Sequence, residues 1–346
     1  MTLSSFHKQL LASDDFAQYG LRATFFEKEL RSLRMWELIH EVQQLAKVSG
    51  SFDWGDRKKW GIDEVAWARV ESKQISPLSI FCHPRVLSEQ PPLLRYYRTI
   101  SLISQKGLSS LVPGDIAKIE SGKIDRIEPG RVSQIALALN CIVSIVIKTA
   151  AEIDERDFVG FHFATAGVGV QGSWNNAIGA QGEEVIKRIL VNNLRDEIAQ
   201  IVWRNGKTLD YTPGAHSEVL DRIKEIRVVR LKDAFHLLFS SEPDVSLRDP
   251  RDLPVMAIEV KAGTDTAGAL ERLGAAMKSF ENDRNLNPRV VTVYVVRCMT
   301  PELRKRIQEN NPFDYTFGLT ELMADEKTQL TFSNLIVRAL TGKLRK

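Results

Sequence analysis

The chain has 346 residues, of which 43% are hydrophobic and 26% charged, with a formal net charge of +3. These proportions are ordinary for a soluble globular protein of one large domain or two smaller ones. The charge is compatible with a polyanionic partner but does not require one. No apolar run approaches the length of about eighteen residues that indicates a transmembrane helix, and the N-terminus lacks the basic and apolar regions of a secretion signal. Three scattered cysteines indicate reduced thiols in the cytoplasm and disfavour structural zinc.

The first half of the chain is predicted to be mainly helical. Within residues 1–48, apolar side chains recur at intervals of three and four residues, and the helical pattern returns from Glu64 to Lys148. Residues 158–182 are rich in glycine and small residues, which predicts a connection between two parts. We therefore expect a helical region over residues 1–165, assigned to DNA recognition below, and an α/β domain over residues 175–346.

The helical region carries a local excess of basic residues between Pro84 and Ser133, interleaved with aromatic ones. Such a composition suits contact with phosphates and stacking on bases, although a solvated helix face explains the charge nearly as well. The candidates for DNA contact, chosen by position and residue type, are Arg95, Arg98, Lys106, Lys123 and Arg126.

The stretch IAKIESGKIDRIEPGRVSQIALALN resembles the second half of a repressor-type helix-turn-helix. That motif requires a complete first helix pair just upstream, whereas only VPGD separates LSSL from IAKIE. A plain helical hairpin that turns at Ser121 and Gly122 is the alternative interpretation.

The second half alternates helices with strands, which predicts a mixed α/β sheet flanked by helices. In chain order we expect a helix at GEEVIKRILVNNL, a strand running into Asp244 and an apolar strand at PVMAIEVKAG. An amphipathic helix follows, with Ala267, Leu270, Leu273, Met277 and Phe280 on one face. A buried strand at RVVTVYVVRC then precedes a helix capped by Thr300.

The chemistry is predicted where EPDVSL is followed by AIEVKAG. Asp244 and Glu259 have fourteen residues between them, and Lys261 lies two residues beyond Glu259. Residues two apart on a strand share a face, so Glu259 and Lys261 project together while Val260 points to the core. Two carboxylates beside an ammonium make an oxygen-rich site suited to Mg²⁺, which activates water and stabilises charge on phosphate.

This order of Pro-Asp, ExK strand, amphipathic helix and buried strand resembles the core of the PD-(D/E)XK nucleases, from about residue 176 to 300. The resemblance implies catalytic roles for Asp244, Glu259 and Lys261, with metal contacts from Asp244, Glu259 and Val260. Family members often add a glutamate from the preceding helix. Glu183 lies at the edge of that helix's apolar face and is preferred to Glu184, although ordinary N-terminal helix carboxylates explain both equally well.

Three further stretches, ISPLSIFCHPRVL, LLRYYRTISLISQKG and AGALERLGAAMKSFE, resemble type II restriction endonucleases of the XcyI kind, which recognise CCCGGG. The resemblance implies a homodimer that cuts both strands of a palindrome in double-stranded DNA and leaves 5′-phosphates. It also implies a cognate methyltransferase that protects the host site. In this interpretation arginines of the helical region read guanine edges.

Three alternatives stay open at this point. A repair or junction-resolving nuclease would share the core without sequence preference, but it would not need so large an N-terminal region. A non-enzymatic regulator would rely on the IESGK segment, with the ExK triplet as coincidence. An interaction protein with an inert nuclease-like fold is the third.

Overall fold

A computed structural model describes residues 14–47 and 52–342, and the chain divides into two compact units, Met1–Trp174 and Asn175–Lys346. The helix predicted over residues 1–13 and at residue 48 lies outside the described residues. The described part of the first unit is helical, as expected. Its helices are α1 Asp14–Ser32, α2 Met35–Lys47, α3 Glu64–Ser72, α4 Pro84–Glu89, α5 Leu94–Ile100, α6 Gln105–Leu111, α7 Ile116–Glu120 and α8 Pro129–Thr149.

Helix α8 lies at the centre of the first unit. Its residues Ile135, Leu139 and Val143 are buried in a hydrophobic core to which the other helices of the unit contribute. By length and composition alone, α8 is also apolar enough to cross a membrane. Its buried face in this core is a sufficient explanation of that apolar composition.

The predicted lack of periodic structure over residues 158–182 is wrong, because these residues lie within one helix, α9 (Glu155–Asn193). The boundary between the two units falls within this segment, at Trp174. Each glycine inside a helix costs about 1 kcal/mol relative to alanine, which is why the composition argued against a helix. Tertiary packing overrides this cost, since Phe158, Ala166, Val170 and Ile178 are buried along its length.

The second unit is built on an eight-stranded sheet, and this mixed α/β architecture confirms the predicted fold class. The strands run in the spatial order β2-β1-β3-β4-β5-β6-β7-β8. Neighbours from β2 to β6 are antiparallel, whereas β6, β7 and β8 are parallel to one another. Their bounds are β1 Ile198–Trp203, β2 Thr208–Asp210, β3 Ile226–Leu231, β4 His236–Phe239, β5 Val245–Arg248, β6 Pro254–Lys261, β7 Val291–Val296 and β8 Tyr315–Gly318.

Helices cover the sheet where the amphipathic patterns predicted them, but the helix Ala269–Ser279 buries a slightly different face from the one predicted. Leu273, Ala276 and Phe280 are buried as part of a hydrophobic cluster, whereas Met277 is 41% exposed, so the predicted apolar face was partly wrong. Thr300 caps its helix as predicted, with the Leu303 N–H donating to its hydroxyl at 3.1 Å. The helices of this unit after α9 are α10 His216–Asp221, α11 Ala269–Ser279, α12 Glu281–Leu286, α13 Pro301–Asn310, α14 Leu319–Ala324 and α15 Glu326–Leu340.

Gly182 is the point where α9 approaches the sheet most tightly. A Cβ atom added at this glycine would lie 2.4 Å from the Cβ of Ala262 and 3.4 Å from Cγ1 of Val260. Only glycine lets the helix lie this close to the end of β6. The next residue of the helix is Glu183, so the close approach also positions the polar residues that follow.

Replacing Gly182 by alanine should therefore destabilise the second unit, by about 1 to 3 kcal/mol for overpacking. Gly179 of the same helix is the matched control, because an added Cβ there meets nothing within 4 Å. Gly179→Ala should raise the midpoint of urea unfolding through better helix propensity, and Gly182→Ala should lower it. Equal shifts in the two variants would contradict this packing.

Candidate active site

Asp244 lies at the end of the turn between β4 and β5, immediately before β5. The expectation of a strand running into Asp244 is therefore corrected: β4 ends at Phe239 and the chain turns first. The Ser240 hydroxyl donates to the Pro243 carbonyl at 2.6 Å, and the Ser240 N–H donates to the Asp244 carbonyl at 3.2 Å. Because β5 is antiparallel to β6, the start of β5 lies beside the end of β6, where Glu259 and Lys261 are.

The two carboxylates are buried and joined through the backbone. Asp244 is 7% exposed and Glu259 only 1%. The N–H of Val260 donates to Oδ2 of Asp244 at 2.7 Å, and the N–H of Asp244 donates to Oε2 of Glu259 at 3.3 Å. These bonds hold both acidic side chains at one end of the sheet, as the sequence predicted.

Lys261 completes this group. Its ammonium forms an ion pair with Oε1 of Glu259, and its side chain keeps 24% of its exposure, so its charge is available at the surface of the site. Val260 between them is buried on the other face of β6. This alternation is the one that the ExK spacing predicted.

Burial, and next the neighbouring Glu259 carboxylate, raise the pKa of Asp244 to about 8. Two further groups oppose this shift, the Val260 N–H and the Lys261 ammonium. A buried acidic pair of this kind is costly unless a cation joins it. A bound cation would therefore lower the cost of ionising Asp244.

The donor set fits a hard divalent cation. Besides two carboxylates, the site offers the backbone carbonyl of Val260. In an extended strand the N–H and C=O of one residue point to the same side, and the Val260 N–H points to Asp244. Within residues 14–47 and 52–342, no group of three or more His, Cys, Asp or Glu gathers to hold a metal. A cation held by the two carboxylates and this carbonyl would keep several of its coordination positions for water and phosphate, as Mg²⁺ prefers.

The two adjacent glutamates of α9 have different surroundings. Glu184 forms ion pairs with Arg188 at 2.9 Å and Lys224 at 3.2 Å. Glu183 instead acts electrostatically on Asp244, whose pKa it raises. This difference favours Glu183 as the helix carboxylate of the site, and its catalytic role stays a prediction.

Lys187 is a residue that sequence analysis missed. It follows Glu183 by one helical turn and is only 5% exposed, with its ammonium 5.0 Å from the ring centroid of Phe239. Burial lowers its pKa, while Glu183 and Asp244 act to raise it. The available signal was the spacing of four residues from Glu183, which places both side chains on one helix face.

The structure does not support DNA contact by Arg98 or Arg95. The Arg98 guanidinium is buried against Glu120, with one bond at 3.2 Å and a shorter one to the other oxygen. Arg95 lies 3.6 Å from the same carboxylate and donates to the Leu33 carbonyl at 2.9 Å. Both arginines therefore have a structural role that local sequence could not show, because Glu120 is more than twenty positions away.

Lys106, Lys123 and Arg126 are exposed, in agreement with a surface role. Lys106 lies on α6, whereas Lys123 and Arg126 lie in the loop between α7 and α8, within the stretch that resembles a helix-turn-helix. Helix α6 ends at Leu111, and four residues separate it from α7. Leu108, Val112, Ile116 and Ile119 are buried between these elements. Two short helices joined by a four-residue turn that contains glycine are compatible with a helix-turn-helix, and a role of this segment in DNA binding stays a prediction.

The eight-stranded mixed sheet flanked by helices is consistent with a restriction endonuclease fold. A sequence model of the XcyI restriction endonuclease family matches residues 76–327. The type II restriction enzyme Cfr9I of Citrobacter freundii is 24% identical over 284 residues, which span 76% of this chain and 77% of that enzyme. The type II restriction enzyme XcyI of Xanthomonas campestris pv. cyanopsidis is 24% identical over 283 residues, spanning 78% of this chain and 75% of that enzyme.

The chain belongs to the XcyI restriction endonuclease family. It is thus a type II restriction endonuclease, an enzyme that binds double-stranded DNA and hydrolyses it at specific sites. Enzymes of this class generally require a divalent metal ion. The family assignment decides against the repair nuclease, the regulator and the inert interaction protein.

The raised pKa of Asp244 gives a pH dependence with a definite sign. Because the folded protein favours the protonated acid, the metal-free protein loses stability as the pH rises from the ordinary value of 3.8 to about 8. Asp244→Asn cannot ionise, so in EDTA its thermal midpoint should exceed that of the wild type by a margin that grows across this window. Thermal unfolding of both proteins across the same window tests this, and a pH-independent difference would contradict it.

Proposed function

We propose that this enzyme is a Mg²⁺-dependent nuclease of the PD-(D/E)XK type, with Asp244, Glu259 and the Val260 carbonyl as metal ligands and Lys261 as the catalytic lysine. The observation that carries the proposal is the pair of buried carboxylates joined through the Val260 and Asp244 backbone at one end of the sheet. The lysine held by Glu259 adds the third group that phosphodiester hydrolysis needs.

Each residue has a task that follows from its position. A bound Mg²⁺ would polarise the phosphate and lower the pKa of a water molecule. Glu259 fixes the Lys261 ammonium, so this charge faces the phosphate with little freedom to move. Lys261 then orients the attacking water and offsets the negative charge that grows on the phosphate oxygens. In-line attack leaves a 3′ hydroxyl and a 5′ phosphate.

Cleavage of duplex DNA should depend on this group and on the metal. With Mg²⁺ we expect discrete fragments from a long duplex, and with EDTA none. Alanine at Asp244, Glu259 or Lys261 should reduce the single-turnover rate at least about 100-fold while leaving site-specific binding in place. Gel analysis of fragments and a binding titration measure the two properties. Undiminished cleavage by Lys261→Ala would contradict the mechanism.

We further propose that the active form is a homodimer that cuts a GC-rich palindrome such as CCCGGG, protected in the host by a cognate methyltransferase in the cytoplasm. Support comes from the centre itself: each chain offers one Asp244–Glu259 pair, and a duplex has two strands to cut. A two-fold symmetric dimer matches two-fold symmetric DNA. On a plasmid with one site, it should produce the linear form without accumulating nicked circles.

The α6–α7 pair of the helical unit is proposed to take part in reading the site. The exposed cations Lys106 on α6, and Lys123 and Arg126 in the loop that follows α7, are free of the buried ion-pair network that holds Arg98. Arginine is the side chain best suited to bind guanine through two hydrogen bonds, whereas lysine serves phosphate as a point charge.

Arg126→Ala should weaken binding to the cognate site by roughly tenfold or more and relax its sequence preference. Lys123→Ala should weaken cognate and unrelated DNA alike. Lys59→Ala is the control, because Lys59 is 77% exposed and pairs with Asp56 elsewhere in the same unit. Binding titrations with both duplexes measure these effects. Affinities of Arg126→Ala and Lys123→Ala equal to that of the control would argue against this role.

A further inference from the structure

Lys187 is a buried cation that forms no ion pair with any residue that the structure describes, although the Glu183 and Asp244 carboxylates act on it from a greater distance. The residue is 5% exposed, and its ammonium lies 5.0 Å from the ring centroid of Phe239. No described carboxylate is within ion-pair distance of it, although its neighbour on the helix, Arg188, is paired with Glu184. Burying a lysine in this way costs free energy unless a charge meets it during function.

Its position places the charge at the acidic centre. Phe239 pairs in the sheet with Val245, the residue directly after Asp244. Helix α9 carries Lys187 and lies against the side chain of Val260, as the close approach of Gly182 shows. Glu259 and Lys261 alternate with Val260, so their side chains project from the other face of β6. The two lysines therefore approach the centre from opposite faces of the sheet.

A second cation lies near Lys187. Burial has the largest effect on the pKa of Lys187 and lowers it, Glu183 comes next and raises it, and Arg204, an exposed residue in the turn after β1, lowers it. Like charges placed side by side in a folded protein repel each other, and an anion between or beside them removes the repulsion. In a nuclease, the anions that reach the surroundings of Lys187 and Arg204 are the phosphates of the bound DNA.

We propose that the Lys187 ammonium binds a phosphate of the DNA strand being cut, from the face of the sheet opposite Lys261. This inference rests on the proposed cleavage centre and extends it. Lysine is a common point-charge ligand of phosphate, and the apolar surroundings of Lys187 strengthen the contact. In the absence of DNA, a cation–π contact with the Phe239 ring stabilises the Lys187 ammonium.

The test compares Lys187→Met, which keeps an unbranched side chain beside Phe239 but removes the charge, with Lys187→Arg, which keeps the charge. Lys305→Met is the control, since Lys305 is 73% exposed and pairs with Glu309 on its own helix. For each protein we would measure the single-turnover cleavage rate with Mg²⁺ and the salt dependence of duplex binding in EDTA.

For Lys187→Met we expect a rate about 100-fold below wild type, and a slope of log affinity against log salt smaller by about 0.9, the loss of one phosphate contact. Lys305→Met should change neither quantity. A folded Lys187→Met with the wild-type rate and slope would overturn the inference. If Lys187→Met does not fold, Lys187→Arg decides: a rate within about threefold of wild type supports a phosphate contact, and a folded but inactive protein overturns it.

These outcomes are separate from a failure of the cleavage centre. Should Asp244→Ala cut DNA as fast as the wild type, the proposed centre is wrong whatever Lys187 does. A large loss with Asp244→Ala together with no loss with Lys187→Met leaves the centre in place and rejects only the lysine contact.

Discussion

Two acidic side chains held together away from water are the constraint on which the second unit depends. Asp244 and Glu259 would repel each other in any arrangement that left them ionised and unpaired. The backbone at the junction of β5 and β6 reduces this cost, because Val260 donates to Asp244 and Asp244 donates to Glu259. The residual cost appears in the raised pKa of Asp244.

The rest of the unit positions charges around that pair. The antiparallel pairing of β5 with β6 brings residues fifteen positions apart into contact, and the strand alternation places Lys261 beside Glu259. On the other face of the sheet, Gly182 lets α9 lie close to the end of β6. Glu183 and Lys187 lie one helical turn apart on this helix. A centre with acids in the middle and cations on two sides suits a metal ion and a polyanion bound together.

The parts of this site that the sequence predicted are those set by local periodicity. Alternation along β6 requires Glu259 and Lys261 to share a face, whatever the rest of the fold is. The uniformly apolar β7 and the amphipathic helix before it were predictable for the same reason. Asp244 was assigned correctly to the acidic group but to the wrong local structure, since the turn after β4 has no periodic pattern.

What escaped prediction depended on packing between distant segments. Glycine content argued against a helix over residues 158–182, and only buried contacts along α9 overrule it. Arg98 has the composition of a DNA contact, yet its partner Glu120 comes from another helix. Lys187 resembles any helical lysine until Phe239 and Asp244 are placed beside it. Strands β1, β2, β3 and β8 were not predicted, because β2 and β8 span only three and four residues, and polar residues interrupt the apolar sequence of β1 and β3.

The most direct test of the cleavage centre is the location of the metal itself. Crystals of the enzyme grown with Mn²⁺ in place of Mg²⁺ give an anomalous scattering signal that marks the ion without any assumption about mechanism. We predict a peak within coordination distance, about 2.2 Å, of carboxylate oxygens of Asp244 and Glu259 and of the Val260 carbonyl. A peak bound elsewhere in the chain, with none between these two acids, would contradict the account.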